Sequence, residues 1–570
     1  MNFNLILNKR ELKIFITFFL IYLYFITWDG WNEDSGFSLT KAIIGENRFE
    51  ISNYANYTGD RLFYKGNYYS SKFPGEPFLS VPIYAAFNFL YSNLPTYFTN
   101  HYTGDNKVDK YYADIPDKGK VEFYYNVNPG GSVLLSMILV TALTSSLFSS
   151  MTVLLIYKIS NYFTQQESHK LSLAIAYGLA TLIFPNALVF TGFGTSTFFL
   201  FLSFFLLFKT KYTKADTDKY FIISGLSIGL GIVVRPEIIP IAMLFFAYSF
   251  FIKKEKIFLF LVGFLLGIMP LFAYSYSTFS TSAFYIYLHS GYQDPSIWGS
   301  ISQTRNFEEV GYYIEKDPAG VVFWLLPYKG LFFYHPIFLF CLISFYFMYR
   351  EFKKESILFI LILSILISFS IAVWLLGVTL GASFGIRFLT ASSPFLIIPF
   401  LYFIRKFGLK TAWIIIVIGI FINFLGLQIY DSASMYGYTG WWENNSGFRE
   451  RIYSFEINPL VDYYIPLFMD HGPRSRIFEG LISEKVPDIR SGLGEFDKFQ
   501  FNPINIIEIG GQEIQLITKF LCLVPIFLIV FLIWRKEILN LIKFKIKWMN
   551  QKILLASFLI IFLILFIRIY

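Results

Sequence analysis

The sequence predicts an all-α polytopic membrane protein, and three observations predict it. Of 570 residues, 55% are hydrophobic and 21% aromatic, while only 15% are charged. A soluble domain carries about 25% charged residues and cannot hide this much apolar surface from water. The apolar residues are gathered into about thirteen runs near the roughly 17 to 25 residues that a helix needs to cross a hydrocarbon core. Basic residues, finally, fall in short clusters after every second run, as the positive-inside rule requires of a multi-pass chain.

The runs cover approximately 12 to 28, 132 to 157, 170 to 190, 193 to 208, 220 to 234, 237 to 252, 257 to 277, 331 to 349, 356 to 376, 388 to 404, 411 to 429, 516 to 534 and 553 to 569. The first has Lys9, Arg10 and Lys13 before it, like a signal peptide, but Ile26-Thr27-Trp28-Asp29 lacks the small residues a cleavage site needs. It reads as a retained helix. Around Arg235-Pro236 an unbroken helix would be about 50 Å long, too long for one span. Proline ends or kinks a helix, so two short spans are expected.

The formal net charge of +8 would raise the question of nucleic acid in a soluble protein. Here it sorts by side. Lys209, Lys211, Lys214 and Lys219, then Lys253, Lys254 and Lys256, then Arg350, Lys353 and Lys354, then Arg405, Lys406 and Lys410, then Arg535 and Lys536 all share the side of the N terminus, which is therefore cytoplasmic. The remaining outer segments are net acidic, and no nucleic-acid partner is implied. Cys341 and Cys522 sit inside apolar runs, which excludes a disulfide framework and a cysteine-based zinc site.

Three long polar segments, approximately 29 to 131, 278 to 330 and 430 to 515, follow odd-numbered runs and so lie outside. The organisation read from this is a transmembrane module over 1–430, an extracytoplasmic loop or small cap over 431–515, and C-terminal transmembrane helices over 516–570. The short inner connections leave no room for a nucleotide-binding domain, and no Walker or dinucleotide glycine loop is present. Chemistry is expected outside, at the membrane surface.

The first outer segment opens WDGWNEDSGFSL, with Glu33 and Asp34 close to the end of the first run. A carboxylate at that boundary is able to accept a proton from an incoming hydroxyl; the plainer reading is a solvated acidic flank. Further on, YTGDRLFYKGNYYSSKFPGEPFLSVPIY brings Asp60, Arg61 and Lys72 together with Pro74, Gly75 and Pro77. An apolar stretch from about Phe78 to Tyr91, short for a span, reads as an interfacial helix. It would hold Lys72 at the depth of a lipid phosphate, where ordinary snorkelling is the structural alternative. Arg235 and Arg387 lie close to apolar spans, where an ionisable group is costly and points to function. Glu237 is placed to pair with Arg235, while Lys329 and His335 flank Tyr334 at the start of a span, a position in which a lone histidine commonly packs. The insertion from about 93 to 128, with Asp105, Asp109, Asp114 and Asp117, has no compact ligand spacing and reads as solvated surface.

These residues are similar to the first loop of polytopic glycosyltransferases of the GT-C fold, closest to glycosyltransferase family 39, which includes protein mannosyltransferases and lipid A aminoarabinose transferases. GLSIGLGIVVRPE at 225 to 237, LPYKGLFFYHPIF at 326 to 338 and GASFGIRFLTASSPF at 381 to 395 add to the likeness. The resemblance covers most of residues 25 to 405. It implies a GT-C-like arrangement in the plasma membrane of a prokaryote and inverting transfer of one sugar from a polyprenyl- or dolichyl-phosphate carrier to a hydroxyl of a protein, lipid or glycan. In that scheme the base is Asp34, with Glu33 and Asp60 as further candidates, and Lys72 matches the lysine that meets the carrier phosphate. Gly36 stands where many relatives have arginine, and Arg61 or Arg387 would compensate. A phosphate leaving group needs cations, for which Lys72, Arg61, Arg235, Lys329 and Arg387 are the candidates and Glu237, Tyr334 and His335 the neighbours. No metal and no cofactor beyond the lipid-phosphate-linked sugar is required.

YTGWWENNSGF at 438 to 448 resembles the WWDYG signature of oligosaccharyltransferases only in its two tryptophans and an acid, with Asn444-Asn445 in place of Tyr-Gly; an aromatic belt explains such a pair equally. The competing class is a non-catalytic transporter or scaffold of envelope glycan assembly. Transporters often carry repeats of broken helices, and no such repeat is visible, whereas the long, uneven outer loops favour an enzyme.

Overall fold

The computed structural model describes residues 7–27, 31–58, 60–93, 108–115, 119–126, 131–210, 217–280, 330–351, 384–428, 458, 460–465, 468, 473, 475, 477 and 521–545. The expected runs at 356 to 376 and 553 to 569, Lys329, the Trp441-Trp442 pair, and most of the segments 278 to 330 and 430 to 515 lie outside these residues. Contacts divide the chain into one unit over Met1–Phe520 and a second over Leu521–Tyr570. In the second, the helix Val524–Lys545 begins after a 3₁₀ turn at Leu521–Leu523.

In the first unit, α1 (Lys9–Tyr24) starts at a capping box: the Asn8 side chain accepts from the amides of Arg10 and Glu11, and Glu11 accepts in return from the Asn8 amide. After it come α2 (Trp31–Glu46), a 3₁₀ turn (Ser52–Tyr57), the hairpin β1 (Arg61–Tyr64) and β2 (Asn67–Ser70), and α3 (Gly75–Ser92). The hairpin turns on Lys65 and Gly66, both at positive φ, the type I′ geometry that suits a two-residue loop. A second antiparallel hairpin joins β3 (Val108–Ile115) to β4 (Gly119–Asn126), in the insertion read as plain solvated surface. The expectation of an all-α chain is corrected to this extent. Alternating aromatics around Lys65-Gly66 satisfy a two-stranded ribbon better than a helix.

The bundle continues with α4 (Val133–Ser160), which contains a π turn at Ala142–Ser146, α5 (Glu167–Leu179), α6 (Phe193–Thr210), α7 (Asp218–Val234), α8 (Ile239–Ile252), α9 (Ile257–Phe279), α10 (Ile337–Glu351), α11 (Phe400–Phe407) and α12 (Leu409–Gln428). Among the described residues four helices are long and apolar enough to cross a membrane: α4, α6, α9 with its preceding turn, and α12. A fifth is added if the pair Arg387–Ile397 and Phe400–Phe407, bent by 49°, is one span. Four or five such helices make a multi-pass membrane protein; the remaining helices at the expected positions are shorter or more polar.

Helix α6 is almost entirely buried, whereas α9 and α12 turn large apolar side chains outward, including Phe258, Leu265, Met269, Ile414, Val417 and Phe421. Such an exterior is stable against lipid and not against water. Lipid tails give no hydrophobic drive between helices, so close approach has to hold them together. Gly225 and Gly229 of α7 face Gly263 and Gly267 of α9, and a Cβ on Gly225 or Gly263 would overlap the carbonyl oxygen of Phe260 or Ile222. These two small-xxx-small patterns make α7 and α9 the most intimate pair in the bundle.

The helices alternate in direction. At one end, Arg10 pairs with Glu167 (3.3 Å), Lys158 with Glu11 (3.2 Å), Lys256 with Asp218 and Arg405 with Glu351 (2.8 Å), while Lys253 Nζ donates to Thr217 Oγ1 (3.2 Å). The contact between Lys253 and Thr217, which bracket α7 and α8, shows that the chain reverses at Arg235-Pro236 rather than merely kinking, in agreement with two short helices. Basic residues thus gather at one end of the bundle. The loops after α1 and α7 and the starts of α4 and α6 lie at the other.

Candidate functional site

At that second end Glu33, in the first turn of α2, is 6% exposed. Burial pushes its carboxyl up; Arg387 and Lys72 oppose the shift and Asp60 adds to it. Four ionisable groups from three separate parts of the chain are therefore within electrostatic reach of one another. Lys72 Nζ lies 2.8 Å from Asp60 Oδ2. The pair is framed by backbone bonds: Ser35 Oγ donates to the Asp60 carbonyl (2.5 Å) and meets Ser70 Oγ (2.8 Å), the Asp60 amide donates to Thr58 Oγ1 (3.0 Å), and the Lys72 amide donates to Ser70 Oγ (3.1 Å). Ser35 is thus the bolt between α2 and the hairpin, two residues from Glu33.

The second part of the site is a stack of guanidinium groups on an aromatic pair. Phe193, at the start of α6, meets Phe388 edge to face at 5.4 Å. Arg235 lies 3.7 Å above the Phe193 ring and Arg387 5.7 Å from it. A well-placed cation over a ring contributes about 1 to 2 kcal/mol when desolvated. Arg235 also bridges to Glu237 at 2.6 Å, so the expected pairing of those two is present. Gly192, at φ +78°, lets the chain pass beside Arg235, since a Cβ there would come within 2.8 Å of Val234 Cγ1 and 3.4 Å of Arg235 Cδ.

The third part was not singled out from the sequence. Glu76, in the first turn of α3, is 4% exposed, and its Oε1 accepts from Ser145 Oγ at 2.7 Å. Burial pushes this carboxyl up as well, with the hydroxyls of Ser145, Thr195 and Thr144 and the charge of Arg235 acting the other way. The signal lay in an acid directly after Pro74-Gly75 at the head of an apolar stretch, which reads at first sight as an ordinary helix-start acid.

The remaining sequence candidates are placed as follows. Asp34, the next residue on α2 and about 100° of helix from Glu33, acts electrostatically on Lys41, seven residues on. Lys41 itself sits 4.4 Å over the Tyr54 ring. Arg61, expected as a donor-binding candidate, is held by contacts within the first outer segment. It is buried, donates to the Ala55 carbonyl and to Asn56 Oδ1 (3.2 Å), and stacks on Tyr68 at 4.7 Å. Its guanidinium fastens the 3₁₀ turn to the hairpin. Tyr334 and His335 are fully buried and pack on Phe384, with ring centroids 4.8 and 6.2 Å away, which agrees with a packing histidine. Two described fragments of the last outer segment reach the bundle. Tyr464 packs on Phe384 at 5.1 Å, and Ser475 Oγ donates to the Tyr24 carbonyl at 2.6 Å.

No protein-family model and no curated protein matches the chain. One solved structure is similar, the archaeal oligosaccharyltransferase AglB from Archaeoglobus fulgidus in complex with an inhibitory peptide and a dolichol-phosphate, at 12% identity and a TM-score of 0.37. The match covers 79% of this chain and 60% of that one, so the chain spans less than two thirds of that protein's length.

Proposed function

We propose that the protein is an inverting glycosyltransferase that moves one sugar from a lipid-phosphate carrier to an acceptor hydroxyl at the outer membrane surface. The observation that carries this reading is the convergence of Glu33, Asp60, Lys72 and Arg387, beside Arg235, at the end of a lipid-facing bundle opposite its basic rim. A buried carboxyl raised toward neutrality is a better general base than a solvated one. In this reading Glu33 takes the proton of the acceptor hydroxyl as its oxygen bonds the anomeric carbon. The bond from that carbon to the phosphate oxygen breaks on the opposite face. Charge developing on the leaving phosphate is met by Lys72, Arg387 and Arg235, while Asp60 fixes the Lys72 ammonium.

The carrier reaches such a site from within the membrane, so no nucleotide-binding domain is needed. The sugar, the acceptor and the thirteen-span topology expected from the sequence belong to the same proposal. The test is sugar transfer in membranes supplied with polyprenyl-phosphate sugars. Glu33→Gln is expected to lower transfer by roughly 10² to 10⁴-fold, and Lys72→Ala and Arg387→Ala by at least about tenfold, with Asp34→Asn less affected than Glu33→Gln. The opposite ranking of Glu33 and Asp34 moves the base to Asp34. Undiminished transfer in every variant, or none in wild type, removes the reading and leaves the transporter or scaffold.

A further inference from the structure

Glu76 is an expensive residue with no assigned task. A carboxyl group taken out of water needs hydrogen bonds or a counter-ion, yet only Oε1 is bonded, to Ser145, and Oε2 is buried without a hydrogen bond. The groups that face it are Ser145 and Thr144 from the π turn of α4, Thr195 from α6, and Arg235, with its partner Glu237, from the loop after α7. Helix α2 meets α3 one turn further on, through Thr40 Oγ1 and Ser80 Oγ at 2.7 Å.

The placement is rigid. Gly75 presses on the backbone of Val233 and Val234, where any Cβ would overlap main-chain atoms. The first turn of α3 is therefore clamped to the last turn of α7, directly before Arg235. A π turn, a local departure that recurs at functional sites, brings Ser145 to the same point. Glu76 thus sits next to the glycine that packs against the residues leading into Arg235.

We propose that Glu76 is a positioning residue for Arg235 that holds a proton while the phosphate-bearing lipid is bound, and that its ionisation sets the affinity of the site for that lipid. The proposal rests on the glycosyltransferase reading above. Protonated, Glu76 adds no charge and leaves the Arg235 guanidinium to the phosphate. Ionised, it is a second carboxylate beside Glu237 that competes for the same guanidinium. No bond in the transfer reaction is made or broken at Glu76. Its proton is exchanged with solvent when donor binds and leaves.

The test is the pH dependence of KM and kcat for a polyprenyl-phosphate sugar, whose phosphodiester has no proton to exchange near neutrality. In wild type, KM is expected to rise about tenfold as pH climbs through the titration of Glu76, the size of a one-unit coupling, with a smaller change in kcat. Glu76→Gln keeps the shape and the neutral state, and is expected to hold KM near the low-pH value throughout. The same rise in Glu76→Gln as in wild type overturns the proposal, as does a loss of kcat at every pH with KM unchanged. If Glu76→Gln does not fold, the wild-type protein in weak buffer decides: net proton uptake on binding the same donor is expected, and binding without uptake overturns it. Wild-type protein that neither binds nor transfers the donor overturns the glycosyltransferase reading and this proposal together. Binding that is independent of pH removes this proposal alone.

Discussion

At the scale of single residues, the same charged side chain serves as ligand candidate or as structural tie according to what surrounds it. Arg61 and Lys72 are close in sequence, Lys72 the expected partner of the carrier phosphate and Arg61 a cation that would compensate for Gly36. Arg61 is consumed by the Ala55 carbonyl, Asn56 and the Tyr68 ring, whereas Lys72 pairs with one carboxylate, Asp60, within reach of Glu33. Glu33 carries a consequence for stability. Burial raises its carboxyl pKa in the folded state above the ordinary value, so over the interval between the two the folded protein binds more protons than the unfolded chain, and stability falls as pH rises. Thermal unfolding in detergent is expected to show that loss in wild type above the ordinary carboxylate range, and a shallower one in Glu33→Gln. An equal slope in both would assign the loss to other groups. The residues that stand out in the sequence are charges in or beside apolar runs, Glu33, Asp60, Lys72, Arg235 and Arg387 among them. Glu76 does not, because its environment is assembled from Ser145, Thr195 and Arg235, which are distant in the chain.

Among the elements, the bundle depends on contacts that hydropathy does not record. The sequence places α7 and α9 as neighbouring apolar runs. Their four facing glycines decide how near they come, and that in turn places Arg235 at the end of α7. Gly225→Ala and Gly263→Ala are expected to cost about 1 to 3 kcal/mol each through overpacking and to lower the unfolding temperature in detergent. Gly45→Ala on α2, where the nearest atom outside the helix is Tyr54 Oη at 3.7 Å, is expected to be neutral or slightly stabilising. Equal effects at all three positions would mean that helix propensity, not close packing, governs them. The break at Arg235-Pro236 was readable because proline cannot continue a helix. The hairpins were not, since isolated two-stranded ribbons are marginal alone and β1–β2 is held by Ser35, Tyr274 and Phe279 from elsewhere.

At the scale of the molecule, the described ion pairs of Arg10, Lys158, Lys256 and Arg405 lie at one end of the first unit's bundle and the buried acid–base cluster at the other. Orientation in the membrane follows as a prediction from the positive-inside rule. Cys341 and Cys522 are buried, so single cysteines introduced at exposed positions report on sidedness against a quiet background. A membrane-impermeant thiol reagent applied to intact cells is expected to label Lys65→Cys, on the hairpin turn, and to reach Lys254→Cys, at the basic end, only after permeabilisation. The reverse pattern would put the cluster on the inner side and end the case for a lipid-carried donor.

The sequence by itself determined that the chain lives in a membrane, where its helices begin and break, and on which end its positive charge gathers. These are properties of composition and local pattern, set by the free energy of moving apolar and charged groups between water and lipid. Which charged residues belong together was decided only by the tertiary structure. Glu33 is buried within reach of Lys72, Asp60 and Arg387, Arg61 lies against Ala55, Asn56 and Tyr68, and Glu76 meets Ser145, because electrostatic coupling depends on distance and burial through space and not on separation along the chain.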